Sequence, residues 1–186
     1  MSGTWTLPDD LTLPKLPDDH PGAGAPIPSH WSKCFGCGDD QPAGMAMQFT
    51  FGEGLEITGM LDVANRYQGG PGFIHGGILS TAFDEAQGMA CMVLRRPVVT
   101  GHLQIDFAKP IPLGSVLELR ARIDGTVRRK VYTSAEARIV EGPFADPDVV
   151  VATSRGLFLT VGAQHFDRAK DFVDGVPRSP HGTSSV

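Results

Sequence analysis

The chain has 186 residues, of which 41% are apolar, and a formal net charge of −5 at pH 7. This length and apolar content predict one substantial domain with tails, and an acidic chain without a long basic run argues against a nucleic-acid partner. No stretch approaches the roughly 18 apolar residues of a membrane span, and the first ten residues lack the pattern of a signal peptide. We therefore expect a soluble, cytoplasmic protein, and the odd number of cysteines, three, agrees with a reducing compartment.

Proline and scattered leucines dominate residues 1–33. Such a composition excludes regular helix or sheet, whereas spaced apolar residues favour packing against a folded domain over free solvation. We therefore divide the chain into a proline-rich extension that packs on the domain (residues 1–33), the domain itself (residues 34–162) and a polar, partly disordered tail (residues 163–186).

The segment after this extension contains a CxxC motif, formed by Cys34 and Cys37. A zinc site needs about four ligands, but no second CxxC and no close pair of histidines follows, and Cys91 stands alone in a predicted helix. We therefore expect no metal and interpret the motif as a tight glycine turn with two half-buried thiols. A small zinc or redox module is the alternative.

Strands are predicted wherever apolar residues alternate with polar ones at a period of two. Glycine and proline clusters separate the candidate strands, and the alternation is typical of an antiparallel sheet with one face on a core. The predicted strands cover residues 45–51, 55–63, 98–107, 116–126, 130–140 and 149–161.

Between the second and third predicted strands, the stretch Tyr67–Gly88 joins a glycine-rich turn to an apolar helix. Residues 68–72 contain too much glycine and proline for a helix or a central strand. From Ile78 onward, apolar residues recur at helical spacing, which predicts a helix buried on most sides. The other face carries two adjacent acids, Asp84 and Glu85, which need a specific reason to be there because a buried unpaired carboxylate is costly.

The start of this helix and the first of its acids suggest catalysis at a carbonyl group. A glycine pair, Gly76 and Gly77, exposes backbone N–H groups that can hold a developing negative charge on oxygen. A carboxylate two turns later can act as base or nucleophile, but Gly76 and Asp84 are eight residues, or about 12 Å, apart along one helix. Two antiparallel helices related by a twofold axis can bring both groups to one carbonyl, which predicts a symmetric homodimer with two shared sites.

These elements predict an α+β domain in which about six antiparallel strands wrap around one long central helix. The motifs resemble those of hotdog-fold acyl-CoA thioesterases of the PaaI type, close to the branch named thioesterase superfamily member. The resemblance covers about residues 34–161. It is carried by CFGCG at 34–38 followed by PAG at 42–44, YQGGPGFIHGG at 67–77, an acid nine residues after its histidine, and PIPLG at 110–114.

The resemblance implies roles for individual residues. Asp84 would be the catalytic carboxylate. The backbone N–H of Gly76, with His75 and Gly77 beside it, would form the oxyanion hole. Thr100 matches a strand position at which relatives place a Ser or Thr that can hydrogen-bond the attacking water.

Other polar residues are candidates for contact with the substrate. Glu85, about 100° round the helix from Asp84, is a reserve acid or else a solvating or interface residue. His102 shares a predicted strand with Thr100 and either lines the cleft or is a core histidine. A basic run precedes the fifth predicted strand: Arg128, Arg129 and Lys130. In similar proteins such residues bind the phosphates of coenzyme A, and a solvated charge cluster is the alternative.

The reaction that the resemblance implies is hydrolysis of an acyl-CoA thioester by a homodimer or a dimer of dimers. No cofactor is expected, because coenzyme A is part of the substrate, and one carboxylate with an oxyanion hole can suffice for so reactive an acyl donor. One position departs from the pattern, since some relatives carry Asn where this chain has Gly69. Two alternatives stay open: a hotdog hydratase or dehydratase that uses His75 or His102, and a non-catalytic acyl-CoA-binding protein.

Overall fold

The computed structural model describes residues 6–162 and 164–166. In chain order, the described part contains β1 (Pro26–Ile27), β2 (Gln48–Phe51), β3 (Glu56–Asp62), α1 (Gly76–Ala90), β4 (Val98–Phe107), β5 (Val116–Val127), β6 (Lys130–Glu141) and β7 (Val150–Thr160). Short 3₁₀ helices span Asn65–Tyr67 and Cys91–Leu94. The predicted polar tail, residues 163–186, lies outside the described residues apart from 164–166.

The strands form one antiparallel sheet in the order β1-β2-β3-β5-β6-β7-β4. Helix α1 lies across one face of this sheet and contacts β3 to β7. The chain passes through α1 between β3 and β4, and β4 then joins the far edge beside β7. The predicted α+β class with one long central helix is confirmed, and the predicted count of about six strands is corrected to seven among the described residues.

The additional strand is β1, in a segment whose composition predicted no regular structure. That prediction was wrong for these two residues, because Pro26 and Ile27 pair with Thr50 and Phe49 of β2. Proline has no N–H to donate, and it is tolerated here because β1 lies at the edge of the sheet. A strand of two residues is too short to show a hydrophobic period.

The extension also contacts β5. Thr12 and Thr126 exchange backbone hydrogen bonds, with N to O distances of 3.2 and 2.8 Å. Leu11 packs directly over Gly125, where a Cβ would overlap the Leu11 side chain. These contacts place residues 11 and 12 on the end of β5 that leads into the turn to β6.

Two strands differ in detail from their predictions. β2 begins at Gln48 because Ala46 has a φ of 51°, outside the extended region, although Met45 and Met47 are buried as the period of two predicts. The alternation in β4 predicted one face on the core, but Phe107 is 56% exposed. The reason is that β4 is an edge strand, with a neighbouring strand of this chain on one side only.

Local chemistry sets the ends of α1. His75 precedes the helix with an extended backbone, φ −70° and ψ 132°, and its side chain accepts a hydrogen bond from the Gly77 N–H. After Ala90 the chain tightens into a 3₁₀ turn, Arg95 adopts a left-handed conformation with φ 51°, and Pro97 prevents further helix. No helix in the part of the chain that the structure describes is long and apolar enough to cross a membrane.

The face of α1 that packs on the sheet is apolar apart from Gln87. The predicted stripe is buried throughout: Leu79, Ala82, Phe83, Ala86, Ala90 and Val93. The side-chain amide of Gln87 donates to the Phe83 carbonyl (3.1 Å) and to Ser154 Oγ (2.8 Å), and its oxygen accepts from Thr133 Oγ1 (2.8 Å). These bonds connect α1 to β6 and β7, and they satisfy polar groups that are buried in the core.

Replacing Gln87 with leucine is expected to lower the free energy of unfolding by about 1–3 kcal/mol. The change leaves the hydroxyls of Thr133 and Ser154 without this partner, although each keeps a second one, the carbonyls of Gly156 and Gln104 respectively. Urea unfolding followed by circular dichroism measures the loss.

The control for this prediction is Gln48→Leu, because Gln48 is an exposed residue of β2. This substitution should change the free energy of unfolding by less than about 0.5 kcal/mol. Equal stability of Gln87→Leu and wild type would show that the buried network contributes nothing net.

Candidate active site

Asp84 and Thr100 come together on one flank of α1. The hydroxyl of Thr100 donates a hydrogen bond of 2.7 Å to Oδ1 of Asp84. Asp84 is half-buried in the third turn of α1, whereas Thr100 is exposed near the start of β4. A hydroxyl that donates its one proton still has lone pairs with which to accept from a water molecule. The pair therefore joins a carboxylate to a group that can orient water.

An irregularity in β4 directs Thr100 toward the helix. Thr100 pairs with Phe158 of β7 and His102 pairs with Leu157, so Gly101 is an extra residue, a β-bulge. A Cβ on Gly101 would lie only 3.3 Å from the carbonyl oxygen of Leu157. His102, expected either to line the cleft or to be a core histidine, is exposed just beyond this bulge, so the core alternative is wrong.

The environment of Asp84 makes its carboxylate more basic than that of an exposed aspartate. Burial raises the pKa of Asp84, the hydrogen bond from Thr100 opposes the shift, and the charge of Glu85 adds to it. A higher pKa strengthens a carboxylate as an acceptor of protons. Perturbed acids of this kind are concentrated at functional sites.

The N-terminus of α1 presents an open backbone donor. Nδ1 of His75 accepts from the Gly77 N–H at 2.9 Å, so the neutral ring carries its proton on Nε2. The N–H groups of Ile78 and Leu79 donate to the His75 carbonyl at 3.0 and 3.2 Å. The N–H of Gly76, an exposed residue, makes no hydrogen bond to any residue that the structure describes. Among the predicted oxyanion group, Gly76 is therefore open while Gly77 is engaged.

The glycine-rich loop before α1 is held against the PIPLG segment. The N–H of Ile74 donates to the carbonyl of Ile111, and the N–H of Leu113 donates to the carbonyl of Gly72, both at 3.0 Å. The N–H of His75 then donates to the Tyr67 carbonyl at 2.7 Å. The PIPLG segment is thus hydrogen-bonded to the glycine-rich loop, and this loop leads directly into the first residue of α1.

Gly69 lets the glycine-rich loop approach the backbone of His75 closely. A Cβ at this position would lie 2.7 Å from Cα of His75, closer than real Cβ contacts come. The loop therefore closes directly on the backbone of His75, and no side chain fits between them.

A cavity of about 300 Å³ opens beside Gly76. It lies between the glycine-rich loop, the start of α1 and the segment that follows β4. Its walls are mainly apolar: Phe73, Ile74, Leu79, Phe107, Pro110 and Ile111. A mainly apolar wall with a few polar groups is typical of a small-molecule site.

The predicted basic run lies at the turn between β5 and β6, at the same end of the sheet as Thr100. Phe158 pairs with Thr100 on one side and with Val131 on the other, so the turn is two strand spacings, roughly 10 Å, from Thr100. All three side chains of the run are exposed: Arg128, Arg129 and Lys130.

One residue of this run also lines a second cavity, of about 320 Å³, near the C-terminal end of α1. Arg128 shares its wall with Arg95 and Arg96, which follow the helix. Arg95 is paired with Asp19 of the extension at 2.5 Å, and both side chains are exposed. The second cavity is thus a basic recess, partly neutralised by the extension.

Glu85 points away from the Asp84 pair toward the loop between Cys34 and Cys37. Its Oε2 accepts from Sγ of Cys34 at 3.3 Å, and its Oε1 lies 3.4 Å from Nδ1 of His30. Burial opposes ionisation of Glu85, but the contacts with His30 and the thiols outweigh burial and hold its pKa below the usual value. These four side chains form the group, among the described residues, that could hold a metal ion. His30 lies four residues before Cys34, and no pattern of residues after the CxxC points to it.

Residues 71–144 match the family model described as the thioesterase superfamily. The matched segment includes Gly76, Asp84 and Thr100. Acyl-coenzyme A thioesterase THEM4 of Xenopus laevis is 38% identical over 71 residues, which is 38% of this chain and 32% of that protein. THEM4 of Rattus norvegicus is 42% identical over 67 residues, 36% of this chain and 29% of that protein, so the chain matches about a third of the length of these curated relatives.

Solved structures share the hotdog thioesterase fold of this segment. A thioesterase superfamily protein matches with a TM-score of 0.61 at 23% identity, covering 69% of this chain and 60% of that one. The PaaI protein of E. coli matches with a TM-score of 0.57 at 20% identity, covering 63% and 81%. A hypothetical thioesterase of Streptococcus pneumoniae, solved with coenzyme A, matches with a TM-score of 0.52 at 21% identity, covering 57% and 82%. These likenesses establish the fold, and the hotdog class is confirmed.

Proposed function

We propose that this protein hydrolyses an acyl-CoA thioester to a carboxylic acid and coenzyme A. The observation that carries the proposal is the contact between Thr100 and Asp84, which puts a basic carboxylate beside a hydroxyl that can orient water. The open N–H of Gly76 supplies a donor for the oxyanion that such a reaction forms. Support also comes from relatives named acyl-coenzyme A thioesterases and from a structural neighbour solved with coenzyme A.

In the proposed reaction, a water molecule held by Thr100 and Asp84 attacks the carbonyl carbon of the thioester. Asp84 takes a proton from the water as the new carbon–oxygen bond forms, and the Gly76 N–H holds the charge on the carbonyl oxygen. The carbon–sulfur bond then breaks, and the leaving thiolate takes a proton from Asp84 or from solvent. Direct attack by the carboxylate is the other route, but the bond from Thr100 occupies one of its oxygens and favours the water route.

A complete site requires two copies of the chain. Because α1 is continuous from Gly76 to Ala90, Gly76 and Asp84 of one chain are about 12 Å apart along its axis. The flank of α1 around Asp84 carries small side chains that let a second helix approach: Gly77, Ser80, Thr81 and Gly88. The edge strand β4 can pair with its counterpart in the same arrangement. We therefore place Gly76 of one subunit opposite Asp84 of the other in a twofold dimer.

This dimer assigns the other candidate residues to parts of the substrate. The apolar cavity beside Gly76 takes the acyl group next to the partner's carboxylate. The basic turn of residues 128–130 attracts the phosphates of coenzyme A, for which guanidinium groups are well suited.

The proposal is tested by steady-state release of free thiol from short, long and phenylacetyl-type acyl-CoAs. Turnover of at least one class supports hydrolysis, and the rates across the panel identify the preferred acyl group. Binding of acyl-CoA without release of thiol would replace this proposal with a non-catalytic acyl-CoA-binding protein.

Mixed dimers test whether the site is shared. A heterodimer of Gly76→Pro and Asp84→Asn subunits, coexpressed with two affinity tags, has one site with both groups intact and one with neither. It is expected to regain about half of the wild-type activity, because one of its two sites works. The two homodimeric variants serve as controls, and a heterodimer no more active than they are would show that each site lies within one subunit.

A further inference from the structure

Four side chains that bind metals in proteins converge between the Cys34–Cys37 loop and α1: His30, Cys34, Cys37 and Glu85. Sγ of Cys34 lies 3.3 Å from Oε2 of Glu85, and Sγ of Cys37 lies 3.2 Å from Nδ1 of His30. That nitrogen is 3.4 Å from Oε1 of Glu85, and one ligand atom from each residue lies within 4.8 Å of the other three. The four groups therefore surround one small volume.

The three short separations, 3.2–3.4 Å, are close to the edges of a zinc coordination tetrahedron, and the wider ones, up to 4.8 Å, require the ligands to draw together on binding. Zinc ligands lie about 2.0–2.3 Å from the metal, which places neighbouring ligand atoms about 3.3–3.8 Å apart. Two thiolates from a CxxC with one imidazole and one carboxylate form a donor set that suits zinc better than calcium or magnesium. Four protein ligands close the coordination shell, which is typical of structural zinc sites.

The backbone of the loop is shaped for this cluster. The N–H of Gly36 points at Sγ of Cys34, 3.3 Å away, and so can stabilise a thiolate. Gly36 also leaves the room that Glu85 occupies, because a Cβ there would overlap its carboxylate. The N–H of Met47 donates to the Gly36 carbonyl at 2.9 Å, which anchors the loop to the segment before β2.

The carboxylate of Glu85 lacks a full set of partners inside the protein. Its side chain is 12% exposed. Its Oε1 is buried and accepts no hydrogen bond of good geometry from the described residues, although Nδ1 of His30 is 3.4 Å away. A buried carboxylate of this kind is costly unless a cation or a donor compensates it. A metal ion at the centre of the cluster would supply that compensation.

We propose that His30, Cys34, Cys37 and Glu85 bind one Zn²⁺ through Nδ1, two Sγ atoms and a carboxylate oxygen. Binding releases the protons of the two thiols to solvent and involves no oxidation. The site is structural, because it fastens the segment before β2 to α1 at the residue next to Asp84. This proposal replaces the expectation of no metal, and it is independent of the proposed hydrolysis. Glu85 is not part of a recognisable metal-binding motif, because 51 positions separate it from Cys34.

The test is the zinc content and thiol reactivity of the full-length protein. The wild-type protein is purified from zinc-containing medium without chelators. Inductively coupled plasma mass spectrometry is then expected to find about one zinc ion per chain. Cys34 and Cys37 should react with a chromogenic thiol reagent only after a strong chelator is added. Cobalt(II) in place of zinc should give the sulfur-to-cobalt charge-transfer absorption of thiolate ligation.

Variants separate a four-ligand site from zinc held by the cysteines alone. Glu85→Gln and His30→Ala are each expected to lower the zinc affinity, measured against a competing chelator, by at least about 100-fold, beyond the usual loss of an outer-shell partner. Cys91→Ala is the matched control, since Cys91 is buried and does not belong to the cluster, and it should retain one zinc.

Two results would overturn the proposal. One is a wild-type protein that takes up no zinc when Zn²⁺ is supplied and whose thiols react equally with and without it. The other is a wild-type zinc affinity in both Glu85→Gln and His30→Ala. The first result rests on the wild type alone and does not depend on whether any variant folds.

Discussion

Replacing Asp84 with asparagine is expected to lower kcat for acyl-CoA hydrolysis by at least about 100-fold, with little change in KM. Asparagine is isosteric with aspartate, and its amide oxygen can still accept the hydrogen bond that Thr100 donates at 2.7 Å. It cannot take a proton from water. The substitution therefore removes the base while the contact between α1 and β4 is kept.

The measurement for Asp84→Asn is thiol release from the preferred acyl-CoA, with circular dichroism and gel filtration to check fold and assembly. The matched control is Asp62→Asn, at an exposed acid in β3, which should behave as wild type. An unchanged kcat in a folded Asp84→Asn protein would remove this carboxylate from the chemistry and leave it a structural acid.

The second large effect is expected from Gly76→Pro, which should lower kcat by about 100- to 1,000-fold, the usual result of deleting one oxyanion-hole donor. Proline removes the N–H and changes little else at this position. Gly76 is the first residue of α1, where proline fits a helix, and the preceding His75 has a ψ of 132°, which a following proline tolerates. The helix should therefore form as in the wild type.

Gly76→Ala is the control for this experiment, because it adds a side chain but keeps the N–H. Its Cβ would contact the ring of Phe107 at 3.7 Å, an ordinary van der Waals distance. Most of the wild-type kcat should remain. Equal losses in the alanine and proline variants, measured by the same thiol-release assay, would mean that the shape of the cavity matters at Gly76 and that the backbone donor does not.

Most of the regular structure could be predicted from the sequence, because hydrophobic period is a local property. The predicted helical stripe is buried along α1, and the predicted bounds of β5, β6 and β7 agree with the observed ones to within one residue. The start of the helix and its acid could be found in the same way, since Gly76 and Asp84 belong to one continuous motif. β1 was not predictable because two residues carry no period.

The hydrophobic period did not predict which side chains meet across the helix and the sheet. The bulge at Gly101 directs Thr100 toward Asp84, yet alternation in the sequence of β4 shows no sign of an extra residue. A glutamine in a helix is usually exposed, and nothing in the sequence marks Gln87 as different. It is fully buried, and hydroxyls of β6 and β7 form hydrogen bonds with its amide.

The local pattern of the sequence predicts α1 and most of the strands, the glycine start of α1 and the position of its two acids. What each acid faces depends on tertiary contacts: Asp84 meets Thr100 on β4, and Glu85 meets the Cys34–Cys37 loop. A helical or strand period reports which face of an element is buried, but it carries no information on which distant segment buries that face. That choice depends on the order of strands in the sheet and on where the Cys34–Cys37 loop meets α1, and both arise from contacts between residues far apart in the chain.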